Sequence, residues 1–209
     1  MDGSSRGQKN IGRIHGITAV ILAGGTSSRM GSNKALLTVG GLPLVEKIYR
    51  TLAQLFREVI LVTNSPEEYG FLPCPMVKDR YPGAGPLAGL HAGLIASRED
   101  RVFITACDTP FLSPDVIGMI CSVDGEYDAV VPVGPSGKEP LQALYGRCCL
   151  AMVEQALEQG DGKLLNLLDR VRTRLVTPEE LASIPNVELS FCNVNAPDEF
   201  AALIKNLQP

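Results

Sequence analysis

Short apolar runs alternate along the chain with longer stretches in which apolar residues recur every three or four positions. The runs at 17–22, 59–63 and 101–106 are apolar and rich in β-branched side chains, which predicts buried strands. Residues 42–56 instead repeat apolar side chains at helical spacing, which predicts an amphipathic helix between the first two strands. The chain therefore begins as strand, helix, strand.

The same alternation continues to the end of the chain. Further helices are predicted over 87–96, 115–121, 149–159, 163–171, 178–183 and 197–206, and further strands near 76–77 and over 128–133, 141–145, 173–176 and 190–194. Strands that alternate with helices predict a three-layer α/β/α fold with a mainly parallel sheet. In such a sheet, the loops that follow the strands meet at one edge, where ligands bind.

Composition narrows the classes of protein. The 209 residues carry a net charge of −4, which argues against a broad nucleic-acid surface. No apolar run approaches the length of a membrane span. Residues 1–16 are polar and lack the apolar core of a secretory signal, so we expect a flexible extension before a single domain over 17–209. Six cysteines without a C-x-x-C pair favour reduced thiols and a cytoplasmic protein.

The loop after the first strand has the parts of a phosphate-binding loop. Gly24 and Gly25 end the strand, and Arg29 and Lys34 add two positive charges after them. Glycines let the backbone N–H groups approach an anion closely. The spacing matches neither the Walker loop nor the G-x-G-x-x-G fingerprint. An ordinary glycine-rich turn with two solvated cations is the alternative.

Polar residues also follow the next two strands. Asn64 offers an amide that can read the edge of a base, or it is simply a turn residue ahead of Pro66. Asp79 can accept from a ribose hydroxyl or from the N–H groups of guanine, or it belongs to a charged surface turn. The glycine loop 81–89 leads into a helix, whose N-terminus can receive an anion or organise the loop around a nucleotide.

Asp108 stands where the apolar strand 101–106 gives way to a loop. Mg²⁺ is commonly held by one or two carboxylates and completes its shell with phosphate oxygens and water. Asp108 suits that role. The alternative is a local cap or Asx turn before Pro110.

Together these segments give the chain a family resemblance. Leu22-Ala-Gly-Gly25, Ser28-Arg-Met-Gly31 and Lys34 resemble the N-terminal signature of nucleotidyltransferases. Pro86-Leu-Ala-Gly89, Cys107-Asp-Thr-Pro110 and Asn193-Val-Asn195 followed by Pro197-Asp-Glu199 resemble, in the same order, the molybdenum cofactor guanylyltransferases of the MobA type. The Leu-Ala-Gly-Gly form of the first loop is similar to the guanylyl branch and differs from the related cytidylyl branch.

The resemblance implies a Rossmann-like nucleotide-diphospho-sugar transferase fold and a reaction. GMP would pass from GTP to the phosphate of molybdopterin, with release of pyrophosphate and with Mg²⁺ as cofactor. By position, the implied GTP contacts are Leu22, Ala23, Gly24, Gly25, Lys34, Asn64, Asp79 and Asp108. Asp108 would also hold the metal, Arg29, Lys34 and Asp108 would be catalytic, and Asn193 and Asn195 would lie on the molybdopterin side. Cofactor-biosynthesis proteins and apo-molybdoenzymes would be the protein partners.

One departure from the family pattern bears on the acceptor side. Lys138-Glu-Pro-Leu141 stands where many members carry a histidine before the proline.

Two other functions of the chain stay open at this point. One is a nucleotidyltransferase that uses CTP or a different phosphorylated acceptor, and the other is a non-catalytic GTP-binding regulatory module.

Overall fold

A computed structural model describes residues 12–24, 33–194, 196, 198 and 199. The strands in these ranges are β1 Ile17–Leu22, β2 Thr38–Val39, β3 Leu42–Pro43, β4 Val59–Val62, β5 Met76–Val77, β6 Arg101–Ala106, β7 Ala129–Gly134, β8 Gly137–Lys138, β9 Gln142–Gly146 and β10 Thr173–Val176. The α-helices are α1 Leu44–Leu55, α2 Pro86–Ala96, α3 Pro114–Cys121, α4 Leu150–Glu158, α5 Leu164–Leu168 and α6 Pro178–Leu181.

The main sheet has the strand order β10-β7-β9-β6-β1-β4-β5, and β8 pairs with β7. β1 is parallel to both β4 and β6, and β4 is parallel to β5. β9 runs antiparallel between β6 and β7, so β6 and β7 point the same way. The carboxyl ends of β1, β4, β5, β6 and β7 therefore share one edge of the sheet. The predicted mainly parallel sheet is confirmed.

Helices cover both faces of this sheet. Along β1, Ala19 and Ile21 pack into one buried cluster with α1, α3 and α6, whereas Val20 and Leu22 pack into the other with α2, α4 and α5. This division follows from the strand geometry, since successive side chains point to opposite faces. The predicted three-layer α/β/α architecture is confirmed.

Helix α2 lies unusually close to β1 because it turns glycines towards the strand. A Cβ on Gly89 would come within 2.9 Å of a Leu22 methyl, and one on Gly93 within 2.9 Å of a Val20 methyl. α2 is apolar on nearly all sides, as expected of a helix enclosed between a sheet and a second helix. The packing fixes the start of α2 beside the loop that follows β1.

Two element predictions are corrected by the structure. Residues 190–194 were predicted as a strand, but the chain forms a 3-10 helix over Val187–Phe191. Here the buried Ser190 hydroxyl accepts from the Ser113 N–H at 3.0 Å and from the Gln142 side-chain amide at 2.7 Å. The predicted helix over 42–56 begins only at Leu44, because β3 pairs with β2 in a short hairpin turned by Gly40 and Gly41.

The two ends of the chain are described in part. Within the predicted extension 1–16, the Ile14 N–H donates to the Leu55 carbonyl at 2.7 Å, so the packed structure begins before Ile17. The boundary at residue 16 otherwise stays a prediction, since residues 1–11 lie outside the described ranges. Most of the predicted helix 197–206 lies outside them as well. In the described ranges, no helix combines the length and apolarity that a membrane span requires.

Candidate active site

A cavity of about 620 Å³ opens at the carboxyl edge of the sheet, a size within the usual range for small-molecule sites. It is lined by the loops that follow β1, β4, β5 and β6, by the 3-10 turn after residue 33 and by the start of α2. On the far side, Leu141 closes the wall just before β9. Loops far apart in the sequence thus meet at this edge.

The loop after β1 is held between its two neighbouring strands. The Ala23 N–H donates to the Val62 carbonyl at 2.9 Å, and the Leu22 carbonyl accepts from the Cys107 N–H at 3.2 Å. Leu22, Ala23 and Gly24 line the cavity, and their role as ligand contacts stays a prediction. Gly25 and Arg29, also predicted as site residues, lie outside the described ranges.

Asn33 is held by its side-chain hydrogen bonds directly before Lys34. Its side-chain oxygen accepts from the Ala35 N–H at 3.2 Å and caps the 3-10 turn Lys34–Leu36. Its amide donates to the Glu68 carboxylate at 2.7 Å and to the Tyr69 hydroxyl at 2.8 Å. Lys34 lines the cavity directly after this anchor. Asn33 was not predicted as a site residue, although an asparagine just before a helical turn is a known capping signal.

Tyr69 is the buried partner that holds the Asn33 side chain in place. The side chain is buried, and burial raises the pKa of its hydroxyl above the usual range. A hydroxyl that stays neutral can accept from the Asn33 amide at any physiological pH. Titration of Tyr69 therefore does not disturb the hydrogen bond between Asn33 and Tyr69 at physiological pH.

Asn64 and Asp79 form a pair across the ends of β4 and β5. The Asn64 amide donates to Asp79 Oδ2 at 2.7 Å, and the Asp79 N–H donates to Asn64 Oδ1 at 3.2 Å. Both residues line the cavity. Asp79 Oδ1 is buried and accepts no hydrogen bond from the described residues. Asn64 is therefore more than a turn residue, and the pair leaves one acceptor oxygen, Asp79 Oδ1, without a donor among the described residues.

Asp108 lies across the cavity from this pair, at the end of β6. Burial raises the pKa of its carboxyl, while its own backbone N–H and the positive charge of Lys34 oppose the rise. Its Oδ1 atom is buried and has no hydrogen-bond partner in the described part of the chain. The neighbouring Cys107 is a thiol at neutral pH, because burial and the Asp108 charge raise its pKa to about 12.

The carboxyl oxygen of Asp108 fits one ligand of a divalent cation. A buried carboxylate oxygen with no donor is costly unless a cation or a donor joins it. Among the described residues, no three His, Cys, Asp or Glu side chains cluster closely enough to form a complete protein cage. Mg²⁺ does not need such a cage when a bound polyphosphate supplies the other oxygens. The donor set present is thus of the kind that Mg²⁺ uses.

At the start of α2, backbone N–H groups already donate to carbonyl groups of the protein itself. The Leu87 N–H donates to the Gly162 carbonyl and the Ala88 N–H to the Gly85 carbonyl, both at 3.2 Å. Of the two predicted roles for this helix end, the contacts favour organising the glycine loop over receiving an anion. Gly85, in a left-handed conformation with φ +73°, and Pro86 contribute to the cavity wall.

Asn193 lies beside the Asp108 loop rather than in the described cavity wall. The Val194 N–H donates to the Asp108 carbonyl at 2.8 Å, and Val194 itself is buried. This bond brings the exposed Asn193 to the edge of the site. Asn195, predicted with it, lies outside the described ranges.

Comparisons with known proteins show which family this chain resembles. Residues 19–174 match the model of the MobA-like NTP transferase domain. A probable molybdenum cofactor guanylyltransferase of Carboxydothermus hydrogenoformans is 35% identical over 92% of this chain and 97% of its own length. The molybdenum cofactor guanylyltransferase of Desulfosudis oleivorans is 34% identical over 88% of this chain and 92% of its own.

A solved structure has the same fold. The molybdopterin-guanine dinucleotide biosynthesis protein A of Archaeoglobus fulgidus superimposes with a TM-score of 0.78, at 24% identity, over 91% of this chain and 98% of its own. The match to the domain model covers most of the chain, and the two relatives are matched over nearly their whole length. The chain belongs to the MobA-like NTP transferase family.

Proposed function

We propose that this protein transfers GMP from GTP to the phosphate of molybdopterin and releases pyrophosphate. The observation that carries the proposal is the convergence of Lys34, Asp108 and the Asn64–Asp79 pair on one cavity. The two relatives described above bear the name of that activity over nearly their full length. A cation, a metal-binding carboxylate and a base-reading pair are the parts that such a reaction requires.

In this reaction the two substrates react with each other, so the protein itself has little covalent chemistry to perform. The terminal phosphate of molybdopterin attacks the α-phosphorus of GTP, a new P–O bond forms, and the bond to pyrophosphate breaks. A phosphate monoester is already anionic near neutral pH, so no strong base is needed. Catalysis then depends on aligning the two phosphates and on offsetting negative charge.

Each charged residue has a place in that task. Lys34, anchored through Asn33, would offset charge on the phosphates of the nucleotide. Arg29 is assigned to the departing pyrophosphate on the resemblance alone. The open oxygen of Asp108 would hold Mg²⁺, which when bound neutralises phosphate oxygens and orients them for in-line displacement.

The Asn64–Asp79 pair is proposed to select the nucleotide. Because Asn64 holds Asp79 in place, the free Oδ1 atom is presented at a fixed position in the cavity. A fixed acceptor suits either the N–H donors of guanine or a ribose hydroxyl. Cytosine offers a different pattern of donors at its edge, so this pair is the feature on which the choice of GTP over CTP would depend.

Pyrophosphate release by the purified protein is the direct test. The assay supplies Mg²⁺ and each of the four NTPs in turn, with and without molybdopterin. We expect release only when GTP and molybdopterin are both present. A parallel series with Mg²⁺ chelated tests the metal, and we expect release to fall to background there.

The alternatives give different outcomes in the same assay. Release with CTP in place of GTP would overturn the guanine assignment and leave the reaction class intact. GTP binding without release under any condition would favour a regulatory module.

We propose that the protein works in the cytoplasm, since all six cysteines are free thiols. Other cofactor-biosynthesis proteins and apo-molybdoenzymes are the proposed protein partners.

A further inference from the structure

Glu139 is a half-buried carboxylate near the site, and it has no hydrogen-bond or ion-pair partner among the residues that the structure describes. A Cβ on Gly134 would lie 2.8 Å from Glu139 Oε1 and 3.1 Å from Phe191 Cδ2, so the carboxylate and the aromatic ring both lie against that glycine. No hydrogen bond or ion pair joins the Glu139 carboxylate to any described side chain or backbone group. Burial raises the pKa of the group, as expected when an acid loses water without gaining a donor.

The backbone holds Glu139 at the edge of the sheet that carries the cavity. Gly134 ends β7, and β7 runs in the same direction as β6, whose end carries Asp108. The Glu139 N–H donates to the Pro132 carbonyl at 2.9 Å, and the Glu139 carbonyl accepts from the Gln142 N–H at 3.1 Å. Leu141, two residues further on, lines the cavity. The backbone of Glu139 is therefore held close to this rim, two residues before a residue of the cavity wall.

Glu139 lies on the opposite side of Asp108 from the nucleotide-binding pair. In the sheet order, β4 and β5 with Asn64 and Asp79 lie to one side of β6, and β9 and β7 lie to the other. With strands about 4.8 Å apart, β7 is about 10 Å from β6. The phosphates of the two substrates must meet at Asp108. The acceptor therefore extends from there towards Glu139 if the nucleotide occupies the other side.

The acceptor's ring has the donors that this carboxylate lacks. The pterin of molybdopterin carries a 2-amino group beside a ring N–H, two donors that match the two oxygens of a carboxylate. We propose that Glu139 binds this edge of the pterin and thereby selects a 2-amino-4-oxo pteridine as acceptor. The inference rests on the proposed function, which supplies the identity of the acceptor. The Phe191 ring would then offer an apolar contact beside the same edge.

Glu139→Gln tests the assignment because it keeps the size of the side chain while it replaces one acceptor oxygen with a donor NH₂. We expect the KM for molybdopterin to rise about 10- to 100-fold, the usual loss for a hydrogen-bonded charge. The KM for GTP should stay within about twofold. Glu188→Gln removes an equal charge from an exposed position on the neighbouring 3-10 helix and is the matched control. An unchanged KM for molybdopterin in Glu139→Gln would overturn the proposal.

A binding measurement separates this proposal from the proposed function. Molybdopterin binding to the wild-type protein is measured by equilibrium dialysis, in competition with pterin or with lumazine, which has an oxo group in place of the 2-amino group. We expect pterin to compete at least about tenfold better than lumazine, and the difference to vanish in Glu139→Gln. Equal competition by the two rings would overturn the role of Glu139. Selective binding without pyrophosphate release would instead contradict the proposed reaction alone.

Discussion

The two sides of the cavity differ in how their polar groups are satisfied. On the side of β1, β4 and β5, Asn64 pairs with Asp79, and Asn33 binds Glu68 and Tyr69. On the side of β9 and β7, the Glu139 carboxylate has no partner among the described residues. A side chain that is already held costs little to order when the ligand arrives. An unpartnered carboxylate instead gains its first strong donor from the ligand.

This difference suggests how each half recognises its substrate. Under the proposed assignment, the nucleotide half is organised in advance, and its Asp79 Oδ1 atom is a buried acceptor without a donor among the described residues. Under the proposed assignment, the acceptor half would depend on donors that the substrate brings. Asp108 lies between the halves and has an open oxygen of its own. Substitutions on the two sides should therefore change the KM of different substrates, whereas a change at Asp108 should lower turnover itself.

The largest effect is expected at Asp108, which belongs to both halves. Asp108→Asn keeps the shape of the side chain but weakens its hold on a divalent cation. We expect kcat to fall about 100- to 1,000-fold, the usual cost of losing one preorganised electrostatic contact. Steady-state pyrophosphate release measures it. Turnover near the wild-type value would remove Asp108 from the metal site.

Thermal unfolding of the same variant tests whether its loss of turnover comes from a loss of folding. Burial raises the pKa of Asp108 above its unfolded value, so its contribution to stability is fully present below the ordinary carboxyl pKa and is lost as pH rises through the raised one. We therefore expect Asp108→Asn to have a Tm equal to or above that of the wild type at pH 7. The difference should shrink as the pH approaches about 4. A lower Tm at pH 7 would show that the carboxylate is needed for the fold.

Asp79→Asn should affect the nucleotide half alone. The substitution replaces one carboxylate oxygen with an NH₂ group, so the cavity loses charge and one acceptor. We expect the KM for GTP to rise about 10- to 100-fold with little change in the KM for molybdopterin. This is the reverse of the pattern expected for Glu139→Gln. The two changes should be additive in the double variant, because no described contact joins the two residues. A shared rise in both KM values would contradict the division into halves.

Asn33→Ala should have a smaller effect, through the position of Lys34. It removes the cap on Ala35 and both donors to Glu68 and Tyr69. We expect a loss of about 1 kcal/mol in the free energy of unfolding from the missing cap, measured by urea denaturation. We also expect kcat to fall by about tenfold, equivalent to about 1.4 kcal/mol in transition-state stabilisation.

Asn33→Ser separates the capping role of Asn33 from its contacts with Glu68 and Tyr69. Serine is a good cap, so stability should be retained, but its short side chain cannot reach Glu68 or Tyr69. If turnover falls in the serine variant as it does in the alanine variant, the long contacts position Lys34. If the serine variant turns over normally, the cap alone is sufficient.

The sequence could predict elements whose signal is local. β1 and β6 were predicted at their observed bounds, since each is a short, mostly apolar run rich in β-branched side chains. The strand predicted over 190–194 was wrong because Ser190 is buried through its hydroxyl. Its partners, Gln142 and Ser113, lie 48 and 77 residues away along the chain. No local pattern reveals contacts of that range.

The same limit applies to the site. That Asn64, Asp79 and Asp108 line one cavity could be predicted, because each follows an apolar strand and strand ends meet at one edge. That Asn64 and Asp79 bind each other was not readable from either loop. In the sequence, Glu139 is notable only as part of the segment 138–141, which departs from the family pattern. Its importance depends on Gly134 and Phe191, which lie beside it only in the folded chain.

The smallest predicted effect comes from Gly134→Ala, which moves Glu139 without changing its chemistry. The added Cβ would lie 2.8 Å from Oε1 and 3.0 Å from Cγ of Glu139, so the end of this side chain must shift by a few tenths of an ångström. Gly134 is not among the described glycines with positive φ, so alanine suits its backbone. We expect the KM for molybdopterin to rise about two- to fivefold, since about 0.4–1 kcal/mol is a plausible cost for a displaced hydrogen bond. The KM for GTP and kcat should not change. A rise in the KM for GTP of the same size would mean that Gly134 acts on the whole cavity, and the two halves would then not be independent.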